Sequence, residues 1–142
     1  MMEQVLTFHL CGSLLGINVR LIKEINRNVE YTPVPDAESH IHGLFNMRGQ
    51  VVTLFNLARL LALEEDEDQK RLTCIILKAP CDPDQVGFFI DHPGDVIDID
   101  IDECELPPAN VGGLESEYIS HVVKLDGELL IVIEPDKIFR SR

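Results

Sequence analysis

The sequence has no tryptophan, only two tyrosines, and 12 basic residues against 25 acidic ones, for a formal charge of −13. That charge repels nucleic acid and anionic membrane and makes either a poor candidate partner. No apolar run approaches the roughly 18 residues of a membrane span, and Glu3 stands where a signal peptide would carry Lys or Arg, which argues against export. Cys11, Cys74, Cys81 and Cys104 form no Cys-x-x-Cys pair and no zinc-type spacing. Cys11 and Cys74 sit in apolar, strand-like runs, the setting of a small buried hydrophobe, so reduced thiols in the cytoplasm are expected.

Catalytic signatures are absent as well. There is no P-loop, no Gly-x-Gly-x-x-Gly after a strand, no His-Glu-x-x-His and no Gly-x-Ser-x-Gly. His40 and His42 lie two apart beside Asp36 and Glu38, but no further ligand can be placed, so no metal and no cofactor is expected. Asp91, Asp95, Asp98, Asp100 and Asp102 lie close together, as acids do by chance in a chain this acidic. Binding is expected rather than catalysis.

What is present is apolar patterning. Hydrophobic residues make up 45% of the 142, enough for a packed core. The most patterned stretch runs from Gly43 to Leu57, where two apolar runs flank Arg48-Gly49. It reads as a β-hairpin whose glycine supplies a positive φ. Asn56 is placed to cap a short helix with Leu57, Leu60 and Leu61 on one face. The same pattern returns without a gap at an offset of 78 residues, from Ile41 and Ile119 as far as Leu61 and Phe139. Gly49 lands on Gly127, Met47 on Leu125, and Val51-Val52 on Leu129-Leu130. The echo argues for two similar lobes, each cored by one hairpin. The turn holds Arg48 in one copy and Asp126 in the other, so its geometry does not require arginine. Arg48 is either a solvated turn charge or a forked donor for a carboxylate, within the chain or on a partner.

Around the hairpins, Val5–Leu10 and Leu15–Val19 read as strands joined at Gly12-Ser13. Val19, Ile22 and Ile25 recur at a helical interval and predict one or two helical turns. Thr32 to Pro35 is extended, because each proline pushes its predecessor out of the helical region, and a polar loop follows to His42. The acidic stretch Glu64 to Lys70 is expected to be an exposed loop. It would join two lobes, approximately 1–65 and 71–142, of a single domain spanning 1–142. Leu72–Leu77 and Val86–Ile90 repeat the opening strands around a turn at Pro80, Asp82 and Pro83. Asp91 to Ile97 bends and continues as a strand, and Glu105 to Gly113 is a long loop. Val51–Phe55 and Leu129–Ile133 are apolar at consecutive positions, as strands covered on both faces require. The sum is a mostly β protein of two small barrel-like lobes that share a packed interface, since one lobe of about 70 residues is marginal alone.

From Val19 to Leu61 the chain resembles the CheW-like family, the adaptors that couple chemoreceptors to the histidine kinase CheA. Gly43, Asn46, Arg48 and Gly49 stand in the family's Gly-x-x-Asn-x-Arg-Gly pattern, and Asn56-Leu57-Ala58-Arg59 stands at its Asp-Leu-Arg step. Lys23-Glu24-Ile25 matches an upstream Glu-Ile element. Gly87, Asp91, Asp95 and Val96 match a second-lobe element, and Glu134 to Phe139 the C-terminal region. The likeness runs in order along nearly the whole chain. It implies two five-stranded β-barrel lobes around a shared hydrophobic core, with short helices, and a non-catalytic adaptor or scaffold without a cofactor. It also implies two partners. The signalling tip of a methyl-accepting chemoreceptor would dock in the groove between lobes, and the regulatory domain of a CheA-type histidine kinase would bind a lobe end. The protein would stay in the cytoplasm beside receptor arrays, with no nucleic-acid partner and no membrane insertion.

Ile22, Glu24, Gly43, Arg48 and Val96 would belong to or support these surfaces, with Asn46 and Gly49 as binding or structural residues of the same motif. Glu24 is then the carboxylate able to pair with Arg48, and a bidentate pair would rigidify the hairpin. Glu38 and His40 replace a proline and an aromatic common in the family, Thr53 a proline and Asn56 an aspartate. These departures leave open an adaptor of another motility or developmental pathway, or a CheV-like coupling domain without its receiver. A small ligand- or metal-binding barrel using the Asp36–His42 loop also stays open.

Overall fold

In the strand Thr73–Leu77 every residue from Cys74 on is buried, yet the side chains serve two cores: Ile75 and Leu77 one, Cys74 and Ile76 another. Only a sheet covered on both faces allows this, because successive side chains point to opposite sides. The same is true from Leu130 to Ile133, where Ile131 and Ile133 join the first core and Leu130 and Val132 a third. The outer ends of the two apolar runs depart from the expectation: Val51 is 55% exposed and Leu129 41%.

The computed structural model describes residues 1–35, 41–61, 63, 73–78, 85–105, 110–111, 114–115 and 118–136. The strands in chain order are β1 (Met2–Leu10), β2 (Ser13–Asn18), β3 (Ile22–Asn26), β4 (Ile41–Met47), β5 (Gln50–Phe55) and β6 (Thr73–Leu77). After them come β7 (Gln85–Ile90), β8 (His92–Asp100), β9 (Asn110–Val111), β10 (Leu114–Glu115), β11 (Ile119–Leu125) and β12 (Glu128–Ile133). One short helix, α1 (Leu57–Leu60), follows β5, and the Asn56 side chain accepts from Arg59 N at its start, the cap expected of it. The loop residues 36–40, the acidic stretch 64–70, the turn at Pro80–Pro83 and the closing Ile138-Phe139 lie outside the described residues.

Two five-stranded sheets carry the fold. The first has the order β11-β12-β2-β1-β8 and the second β3-β6-β7-β5-β4, while β9 and β10 pair only with each other. The predicted lobes, one on each side of 64–70, do not coincide with these sheets. The first sheet takes β1 and β2 from the first half of the chain and β8, β11 and β12 from the second. The second sheet takes β6 and β7 from the second half and β3, β4 and β5 from the first. After β2 the chain crosses to the edge of β6, and after β7 it crosses to the edge of β1. Each hairpin then lies parallel to a strand of the opposite half, β5 along β7 and β12 along β2. The 78-residue echo places the two hairpins at corresponding positions of the two sheets.

The helix predicted from Val19, Ile22 and Ile25 is a single 3-10 turn, Val19–Leu21, followed by β3. Pairing of Ile22 with Leu77 and of Asn26 with Cys74 gives the β3 backbone partners that two exposed helical turns would lack, and it suits β-branched side chains.

The sheets curl, but among the described residues no continuous ladder closes either into the expected barrel. Among those residues a single two-bond bridge draws the edges together in each: Thr32 with Leu44 at 2.8 and 2.9 Å, and Glu105 with Val122 at 3.1 and 2.9 Å. Leu44 and Val122 are themselves 78 residues apart, so the two closures are counterparts. The shared core between the sheets holds Phe8, Leu15, Phe55, Phe88 and Ile131, with Leu57, Ala58 and Leu61 delivered to it by α1. A smaller core fills each curl, one around Val52, Leu54 and Ile76, the other around Val5, Ile99 and Leu130.

Candidate interaction surface

The curl of the second sheet brings its two edges, β3 and the β4–β5 hairpin, within reach of each other. The hairpin turn is Arg48-Gly49, and both residues have positive φ, 51° and 85°. That is the handedness a two-residue hairpin turn needs to match strand twist. In the second hairpin only Gly127 has a positive φ, so Asp126 is spared the left-handed strain that Arg48 carries. Asn46 holds the first turn: its Oδ1 accepts from Gly49 N at 3.0 Å.

From this position Arg48 Nη2 donates to Glu24 Oε1 at 2.5 Å. The partner carboxylate is within the chain, as the pairing of Glu24 anticipated. The contact is single rather than bidentate, and the Arg48 side chain remains 70% exposed. Two further contacts cross the same seam. Lys23 Nζ donates to Gln50 Oε1 at 3.4 Å, and Asn26 Nδ2 to Met47 Sδ at 3.4 Å. Gln85 Nε2 also donates to Gln50 Oε1. Lys23 can only donate, so Gln50 must turn its oxygen toward it and Gln85 must offer its amide nitrogen. Gln85 Oε1 is thereby left buried without a partner. The sequence assigns no role to Asn26, Gln50 or Gln85 and names Lys23 only beside Glu24-Ile25, because polar residues at these places look like ordinary flanks.

Gly43 has a different task. A Cβ there would lie 2.3 Å from Thr32 O and 2.8 Å from Tyr31 Cδ2, so the bare backbone lets the 31–32 segment cross β4 and close the curl. Tyr31 stacks at an angle on His42 and Phe89, with centroids 5.8 and 5.5 Å away. Ile22 is half-buried against the shared core. Val96 lies on β8 of the other sheet, opposite Leu6 and 53% exposed. The structure thus brings Glu24, Asn46, Arg48 and Gly49 together, places Gly43 under the neighbouring bridge, turns Ile22 inward and sets Val96 apart.

Around this seam Ile25, Tyr31, Leu44 and Val51 are exposed, and on the other sheet Val96, Leu125 and Leu129 are too. Apolar residues rimmed by charge suit protein contact. Among the described residues no three His, Cys, Asp or Glu side chains are placed to share a metal ion, and no helix is long and apolar enough to cross a membrane. Among the described residues, the one large displacement is at Cys74, where burial pushes the thiol up to about 12.

Comparison with known proteins gives a consistent picture. A family model described as CheW-like domain matches residues 4–142. The chemotaxis protein CheW of Treponema pallidum (strain Nichols) is 30% identical over 143 residues, covering 98% of this chain and 83% of that protein. Chemotaxis protein CheW of Thermotoga maritima is 30% identical over 138 residues, covering 97% and 88%. Among solved structures, the scaffolding protein TtCheW from Thermoanaerobacter tengcongensis superposes with a TM-score of 0.82 at 24% identity, covering 94% of this chain and 90% of that one. That likeness concerns the fold.

Proposed function

The chain belongs to the CheW-like family, and from that membership we propose that it is a non-catalytic adaptor coupling methyl-accepting chemoreceptors to a CheA-type histidine kinase. The observation that carries the reading is the family match along residues 4–142. The relatives named chemotaxis protein CheW and the scaffolding protein of the same fold support a chemotaxis adaptor. The geometry suits it too: exposed apolar side chains stand at the ends of both sheets.

In this reading the receptor's signalling tip docks in the groove between the lobes and the kinase's regulatory domain on a lobe end. The Glu24–Arg48 latch holds the β4–β5 hairpin in the shape the partner meets, and Val96 offers an apolar contact on the first sheet. The protein works in the cytoplasm, against the receptor array.

A pull-down of the purified chain with a CheA regulatory domain and a receptor signalling fragment from the same organism tests this. Both should bind, and Arg48→Ala and Val96→Asp should each weaken at least one partner. Binding to neither would overturn the coupling role while leaving the fold intact.

A further inference from the structure

The two sheets finish their seams differently. In the second sheet three side-chain contacts, Glu24 to Arg48, Asn26 to Met47 and Lys23 to Gln50, lace β3 to the hairpin. In the first sheet Asp126 stands in the place of Arg48. Among the described residues, the one side-chain contact across that seam is the exposed pair Lys124–Glu105 at 3.2 Å.

An open groove of about 310 Å³ is left between β8 and β11. Half-buried Ile97 and exposed Leu125 give it apolar surface above the buried Ile99 and Val122, while Asp98, Glu103 and Glu105 give it an acidic rim. Glu105 has Lys124, but no cation pairs with Asp98 or Glu103 among the described residues. β8 is also an end strand of nine residues, and no strand among the described residues pairs with its outer side.

We infer that this groove receives an extended segment of a partner protein in which apolar residues alternate with Lys or Arg, adding a strand to the free edge of β8. Main-chain groups of an edge strand are a template for such addition, and alternate side chains of the incoming segment point to opposite faces. One face then covers the half-buried Ile97, and the other sets its cations against Asp98 and Glu103. A second copy of this chain is the wrong occupant, because its own β8 would bring the same carboxylates and like charges repel across paired strands. The surface is separate from the latch and does not depend on the adaptor reading.

A fluorescein-labelled peptide of alternating Val and Lys, titrated onto the full chain, tests the inference by anisotropy and by amide shifts. Two control peptides accompany it, one of alternating Val and Glu and one with the Val-Lys sequence N-methylated at every second residue. The Val-Lys peptide should bind and shift amides of β8 and β11. The double change Asp98→Lys with Glu103→Lys, at two exposed sites, should weaken it by at least about tenfold. N-methylation should weaken it comparably, and the Val-Glu peptide should not bind. Absence of Val-Lys binding, shifts confined to other strands, or affinity that survives N-methylation would overturn it, the last revealing diffuse attraction to an acidic protein.

Discussion

Arg48 and Glu24 join the two ends of one sheet: β3 and β4 are its end strands, with β6, β7 and β5 between them, yet the two side chains meet at 2.5 Å. The pair is a clasp on a curled sheet rather than a neighbour contact along a ladder. Because Arg48 is largely exposed, the pair contributes little to stability, about 1 kcal/mol or less by analogy with other surface pairs. Its consequence is for shape.

Arg48→Ala and Glu24→Gln should therefore lower the melting temperature by about 4 °C or less. Binding of the kinase domain or the receptor fragment should suffer far more. A double-mutant cycle on binding should show that the two changes are not additive, since either one opens the clasp. Arg48→Ala with both unchanged stability and unchanged binding would remove the clasp from the mechanism.

Gly43 and Gly49 are required for different reasons, and substitution should separate them. At Gly43 a Cβ meets the Thr32 carbonyl oxygen at 2.3 Å, and backbone cannot move aside cheaply. Gly43→Ala should cost about 1–3 kcal/mol in urea unfolding. At Gly49 nothing lies within 4 Å of the added Cβ, and only the positive φ of 85° resists it. Gly49→Ala should cost roughly 1 kcal/mol. Equal costs would mean that the crossing at Thr32 is looser than its geometry indicates.

Local features were the legible ones. Both hairpins could be read because a turn glycine and its flanking apolar runs lie within a dozen residues, and Arg48 stood out because its counterpart is Asp126. The Asn56 cap was legible for the same reason. β3 was misread because Val19, Ile22 and Ile25 mimic a helical period, and the strand that overrules it, β6, lies some fifty residues further on. The exchange between halves was hidden likewise: an internal echo reveals two similar units but not which strands they trade. Gln50 and Gln85 matter only through Lys23, a partner that no spacing in the sequence connects to them.

Cys74 offers a pH test. It is fully buried between Val52, Leu54 and Ile76, and the apolar surroundings raise its thiol from 9.0 to about 12. The folded protein keeps this proton where the unfolded chain has lost it. Stability should therefore be unaffected by this group below about pH 9 and fall above it, by roughly 1.4 kcal/mol per pH unit up to about 12. Urea titrations of the wild type and of Cys74→Ala across that range isolate the slope. Mass-mapped alkylation at pH 8 should leave Cys74 unmodified in the folded protein and modify it in urea; rapid labelling without urea would show that this core opens.

The exchange of strands makes the two halves of the chain interdependent. A fragment of residues 1–63 carries β1 and β2 without the β8 and β12 that flank them, and β3, β4 and β5 without the central β6 and β7. A fragment of residues 73–142 has the converse deficit. Each would expose one face of the shared core, and chains of about 60 residues have little stability to spare. Neither fragment alone should show a cooperative thermal transition by circular dichroism. An equimolar mixture should recover one, because the strands that each sheet lacks are those that the other fragment supplies. A half that unfolds cooperatively by itself would mean that its strands re-pair within the fragment, and the interleaved sheets would then be one of two arrangements open to this sequence.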